Sequence, residues 1–150
     1  MTIDHSAAIT RIDTVLKAVS SPNFQAVYAG EPVTLPASGA QCAFWYVGDS
    51  PYAGGKTLGN VMISEQFVIR AYFTFKDAPQ LRQSIEALLW DACRNIKAGL
   101  YGDADLNSLV TDLDVGDASV EWMTLNSGGV KRIVTMTLML HDTEAESISA

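Results

Sequence analysis

The first residues whose types and spacing could do chemistry are Gly54, Gly55, Lys56 and Thr57. In this order they match the end of a phosphate-binding loop, in which backbone N–H groups and a lysine hold the phosphates of a nucleotide. That motif also requires an earlier glycine, where this chain has Ser50, and a helix directly after the loop. A strand pattern follows here instead. We therefore interpret the stretch as a loop without a nucleotide, and we predict no cofactor.

A second candidate is an acidic stretch with the ligand spacing of a calcium loop, supplied by Asp103, Asp105, Asn107 and Asp114. A calcium loop also needs a glycine for its sharp turn and a bidentate glutamate as its last ligand. Here the turn position is Ser108, the last ligand is the shorter aspartate, and a strand pattern takes the place of the second helix. We interpret the stretch as a solvated acidic loop.

The remaining side chains of chemical interest are His5, His141, Cys42 and Cys93. They lie far apart in the sequence and show neither the spacing of metal ligands nor that of a nucleophile with its base. The cysteines sit inside apolar runs, which is typical of buried free thiols in a reducing compartment. We predict no metal site and no catalytic constellation, so the chain is not expected to be an enzyme.

The clearest structural pattern is a strand followed by a helix. In residues 61–75 most odd positions are apolar, whereas Gln66, Arg70 and Thr74 are polar, which predicts a long strand with one buried face. Asp77 then caps a helix from residue 81 to residue 96, with apolar residues at helical period and Gln80 at the capping-box position. Both apolar faces need a partner to cover them.

The other elements follow from similar patterns. Ser6 is predicted to cap an amphipathic helix that ends near Ser20, and residues 24–28 form a short extended piece. Residues 41–47 are apolar on both faces, which favours a covered strand. A short strand is expected at residues 109–113, and residues 118–125 and 130–140 close the chain. For these two strands to share an apolar face, the loop between them must hold an odd number of residues.

These elements predict one domain over residues 1–150. Its class is α+β, with a mainly antiparallel sheet, two amphipathic helices packed on one face and a long flexible hairpin arm. The arm is assigned to residues 49–60, because residues 48–57 are rich in glycine, and residues 143–150 form an acidic tail.

Composition restricts the function. The chain has 48% apolar residues. It has only ten Lys and Arg against 17 Asp and Glu, and the resulting net charge of −7 argues against a surface that binds nucleic acid. Acidity is concentrated from residue 99 onward, where there are nine acidic residues and only two basic ones, Lys131 and Arg132. No secretory leader or membrane span is apparent, so we expect folding in the cytoplasm.

The order of these elements resembles that of the tail terminator proteins of long-tailed bacteriophages. The aromatic strand at residues 42–47, the long strand ending Tyr-Phe-Thr-Phe at residues 72–75, the helix after it and the closing strands around Trp122 and Val134 carry the resemblance. Residues 109–117, Leu-Val-Thr-Asp-Leu-Asp-Val-Gly-Asp, are similar to the segment after the second helix in that family. The resemblance implies a homohexameric ring that caps the tail tube, ends tube polymerisation and meets the head-completion (neck) proteins.

The resemblance also suggests where such contacts would lie. We expect the protomer or tube interface at residues of the aromatic strand and the arm, namely Trp45, Asp49, Ser50, Pro51, Tyr52, Gly54, Gly55 and Lys56. The candidates for an acidic channel lining, past which DNA moves without specific binding, are Asp103, Asp105, Asp112 and Asp114. The expected partners are further copies of the chain, the tube protein and a neck protein, with no membrane. The expected location is the virion neck, after assembly in the host cytoplasm.

Two alternatives remain open from the sequence. Another tail or neck structural protein, such as a tube or head-closure subunit, could use a similar α+β sheet. A small acidic cytoplasmic binding protein or enzyme is an alternative of a different class.

Overall fold

The computed structural model describes residues 4–20, 23–24, 26–30, 39–50, 56–57, 60–75, 81–103, 106, 108–110, 112–124 and 130–145. In these ranges the chain forms two helices and seven strands. In order they are α1 (His5–Lys17), β1 (Ala26–Ala29), β2 (Gly39–Ser50), β3 (Lys56–Thr57), β4 (Asn60–Phe75), α2 (Leu81–Tyr101), β5 (Asp112–Val115), β6 (Ser119–Thr124) and β7 (Val130–Ala145). The predicted α+β class is confirmed.

One sheet contains all of these strands, in the order β1-β2-β4-β7-β5, with β3 paired to β4 and β6 paired to β7. The pairs are antiparallel except for β1 with β2, which is parallel. The two central strands, β4 and β7, are each 16 residues long and pair along their whole length.

The register of β4 and β7 separates the two faces of the sheet. Odd residues of β4 lie opposite even residues of β7, so that Phe67 pairs with Leu138 and Ile69 pairs with Met136. Because side chains alternate along a strand, these apolar residues share one face, which we call the inner face. The buried residues of both helices join the same core cluster, namely Ala8, Ile12, Val15 and Leu16 of α1 and Leu89, Ala92, Ile96 and Leu100 of α2. The opposite side of the sheet is the outer face.

The closing hairpin has the predicted parity. Thr124 pairs with Val130, so the loop of residues 125–129 holds an odd number of residues, and Val120 pairs with Val134. The even residues of β6 and β7 therefore lie on the inner face together.

Several element ends differ from the sequence predictions. The N-cap of α1 is Asp4, whose carboxylate accepts a hydrogen bond from the Ala7 N–H at 3.1 Å, and not Ser6. The helix ends at Lys17, before the predicted end near Ser20. An aspartate is an equally good cap, and it satisfies an N–H group that the helix leaves without a partner.

Helix α2 extends beyond its predicted end, through Gly99 to Tyr101. A β carbon at Gly99 would lie 3.4 Å from the Val15 side chain of α1, so the glycine allows the two helices to pack closely. The short strand predicted at residues 109–113 begins later, at Asp112. No described helix is both long enough and apolar enough to cross a membrane.

Both cysteines are free thiols. Cys42 is fully buried in the core, and this burial raises its pKa from 9.0 to about 12. Burial also raises the pKa of Cys93. Because the thiolate is the reactive form, the Cys42 thiol is inert at neutral pH.

Candidate functional site

Three side chains that could do chemistry meet on the outer face, across β4, β7 and β5. His141 Nδ1 lies 2.8 Å from Ser64 Oγ, and His141 Nε2 lies 2.9 Å from Asp114 Oδ2. A serine, a histidine and an aspartate in one hydrogen-bonded line is the arrangement that serine hydrolases use. No sequence spacing indicates this arrangement, because only the register of three strands brings these residues together.

The geometry of this line does not suit nucleophilic attack. Ser64 is only 2% exposed, so its hydroxyl is covered by neighbouring parts of the chain. In hydrolases the Nε2 atom faces the serine and the Nδ1 atom faces the aspartate, whereas here the two ring nitrogens have exchanged partners. The line instead connects side chains of β4, β7 and β5.

The other histidine forms a matching contact on the inner face. His5 Nε2 lies 2.6 Å from Oε2 of Glu65, the residue that follows Ser64 in β4. The centroid of the His5 ring lies 4.7 Å from the centroid of the Tyr46 ring. Glu65 is 8% exposed, and the pair attaches the first turn of α1 to β4. Both histidines therefore pair with carboxylates at the same end of the sheet, one on each face.

The predicted interface residues lie partly in the described sheet. Trp45 projects from the outer face of β2, and the Arg70 guanidinium carbon lies 5.2 Å from its ring centroid. Asp49 and Ser50 end β2, opposite Glu65 and Ser64 of β4. Lys56 belongs to β3. The other predicted interface residues fall outside the described residues, namely Pro51, Tyr52, Gly54 and Gly55. Residues 49–50, 56–57 and 60 of the predicted arm are paired strand.

The predicted acidic residues do not form one group. Asp103 accepts a hydrogen bond from Arg11 Nε at 2.6 Å, which connects α1 to the end of α2, and its side chain is 18% exposed. Asp112 and Asp114 lie on the outer face of β5, with Asp114 bound to His141. Asp105 lies outside the described residues. Asp112 and Asp114 are exposed, whereas Asp103 is partly buried in its ion pair with Arg11.

Metal binding receives no support from these placements. Asp103 and Asp114 of the calcium-loop pattern bind a guanidinium and an imidazole, respectively. Among the residues that the structure describes, no three His, Cys, Asp or Glu side chains are grouped to hold a metal ion.

Exposed apolar side chains mark one edge of the sheet, where β6 ends the pairing. Val120 is 42% exposed and Trp122 is 58% exposed, both on the inner face. The Arg132 guanidinium carbon lies 3.8 Å from the Trp122 ring centroid, and Arg132 is bound in turn by Glu86 of α2. This cation–π contact favours the observed orientation of Trp122, which is exposed on the inner face.

The opposite edge of the sheet has a notch. Strand β1 pairs with β2 only as far as Phe44, so in the described chain the later residues of β2 have a neighbour on one side only. Tyr46 is 37% exposed and Val47, at a bulge, is 54% exposed. A groove of about 110 Å³ opens at this notch, and it is lined by Ile9, Ala29, Gly30, Phe44, Trp45, Tyr46 and Phe67. The sequence pattern predicted that residues 41–47 are apolar on both faces, but no signal in it indicates the groove.

No protein-family model and no curated protein sequence match the chain. Comparison with solved structures finds 31 matching chains. One of them has a TM-score of 0.35 and 11% sequence identity over 97% of this chain and 94% of its own length. A likeness at this level carries no argument about function.

The serine–histidine–aspartate line can be tested with a fluorophosphonate, a reagent that labels activated serines. We expect no labelling of Ser64, because its hydroxyl is buried. We also expect Ser64→Ala to lower the free energy of unfolding by about 1 kcal/mol, since it removes a hydrogen bond between strands. Ser119→Ala, at an exposed serine of β6, is the matched control. Stoichiometric labelling that Ser64→Ala abolishes would instead identify a hydrolase.

Proposed function

We propose that this protein is a structural subunit of a long-tailed bacteriophage. Six copies form a ring that caps the tail tube, ends tube polymerisation and joins the tail to the head-completion proteins. The observation that carries the proposal is the pair of unlike, exposed apolar edges on one sheet, with Trp122 and Val120 at the β6 edge and Tyr46 and Val47 at the β2 edge.

The unlike edges favour a head-to-tail assembly. When two different surfaces of one chain bind each other, each added copy leaves a new surface open, and the series ends only when it closes into a ring. A self-complementary dimer would need only one such surface. Exposed strand edges also invite pairing with another chain, so a stable monomer normally protects them.

The alternatives differ in the assembly that they require. Another tail or neck subunit would also form rings, so only a partner or a position in the virion separates it from a terminator. A small acidic binding protein would remain a monomer and would need another use for the apolar edges. For the enzyme alternative, the catalytic arrangement found among the described residues is the hydrogen-bonded line of Ser64, His141 and Asp114, in which the serine is buried.

The acidic residues fit a passage for DNA. Asp112 and Asp114 lie on the outer face of the sheet at the β5 edge, and each chain carries a net charge of −7. A wall of like charge repels phosphates, whereas clustered lysine and arginine would release counterions and bind the DNA. We assign Asp112 and Asp114 to the wall of the ring's channel.

The ring makes a direct prediction of mass. Light scattering on the purified protein should give six times the 16.2 kDa of one chain at micromolar concentration. The assembly should withstand high salt, because the edges that hold it together are apolar. A mass of one chain at every concentration tested would contradict the proposal.

The channel wall can be tested by reversing charge. The double variant Asp112→Lys, Asp114→Lys should keep the ring mass but bind duplex DNA at low salt, whereas the unmodified ring should not. The matched control is Asp13→Lys with Asp91→Lys, which changes the net charge equally on the two helices. Equal DNA binding by both variants, or by neither, would remove Asp112 and Asp114 from the channel.

A further inference from the structure

Trp122 has the properties of an anchor residue at a protein interface. Its ring lies on the guanidinium group of Arg132. The Arg132 side chain is 8% exposed and forms a salt bridge with Glu86. An exposed tryptophan that is already held in place loses little conformational entropy when another protein covers it. Residues that dominate binding energies are often tryptophans of this kind.

The groove at the other edge has a matching character. It is lined by Phe44 and Phe67, which are buried, and by Ile9 and Tyr46, which are partly exposed. Gly30 also lines the groove, with a φ of +130°, and among the residues that the structure describes no atom lies within 4 Å of a β carbon built there. The described part of the chain therefore leaves the groove open beside Gly30.

Trp122 and the groove lie on the same face of the sheet. Trp122 pairs with Arg132 in the register that places even residues of β6 and β7 on the inner face. Phe44 and Tyr46 pair with Ile69 and Phe67, which also belong to the inner face. If the β6 edge of one copy lies along the open β2 edge of another, the inner faces become continuous, and the tryptophan meets the groove.

The charges on the outer face agree with this placement. Glu121 of β6 is exposed and, as an odd residue, projects from the outer face beside the anchor. One strand in from the β2 edge, on the outer face, the Arg70 guanidinium of β4 lies over the Trp45 ring of β2, and Arg70 Nε donates a hydrogen bond to Thr135 Oγ1. The same placement therefore brings a carboxylate of one copy towards a guanidinium of the next.

We infer that Trp122 of each copy inserts into the Ile9–Phe44–Tyr46 groove of the neighbouring copy, with β6 of the first placed along residues 45–50 of β2 in the second. The occupant of the groove is thus a second copy of this chain. The inference rests on the proposed ring and specifies its contact. Because the two halves lie at opposite edges of one sheet, each copy uses both, and the series closes without a free groove.

The test separates the two halves of the contact. Trp122→Ala removes the anchor and leaves the groove, and Ala29→Trp fills the groove and leaves the anchor. Each variant alone should be a folded monomer by circular dichroism and light scattering, with self-association at least about 30-fold weaker, in line with the loss of a hot-spot residue. An equimolar mixture should form one heterodimer and nothing larger, because it contains a single intact pairing. Trp90→Ala, at a tryptophan of α2 that is 72% exposed, is the control and should assemble normally.

The outcomes distinguish this contact from the ring itself. If Trp122→Ala or Ala29→Trp keeps the ring mass, or if the mixture stays monomeric, the inferred contact is wrong while the ring proposal stands. If the unmodified protein is a monomer, both the ring and this contact are contradicted.

Discussion

The structure depends on the register between β4 and β7. All 16 residues of each strand pair, and every other strand joins the sheet through one of them or through β2. A shift of β7 by one residue would turn its core residues Met136 and Leu138 to the outer face, away from Phe67 and Ile69 of β4, so the buried face fixes the register. The same register aligns Ser64 with His141, and the register of β6 on β7 places Trp122 over Arg132.

Local patterns in the sequence were sufficient for most of the fold. Alternation in residues 61–75 and 130–140 predicted the two central strands, and helical periodicity predicted both helices on one face. For β6 and β7 to share an apolar face, the loop between them had to contain an odd number of residues, as observed. Helix ends were less predictable, because Asp4 and Ser6 are both good caps and Gly99 is tolerated inside α2 where helices pack closely.

The candidate sites were less predictable, because they depend on contacts between distant residues. The pairing of Asp103 with Arg11 is an example, because nothing near either residue in the sequence indicates it. Alternation placed Trp122 on the apolar face, but it could not show that β6 lies at the edge, where the ring stays exposed. Exposed apolar edges, and not a catalytic constellation, are the features from which we argue function.

Electron microscopy of the purified protein in negative stain is the most direct test of the central claim, that this chain closes on itself through two unlike edges. The account predicts uniform rings with a central opening and six-fold averages. Open filaments, two-fold dimers or particles of single-chain size would contradict it, because none of these closes a head-to-tail series.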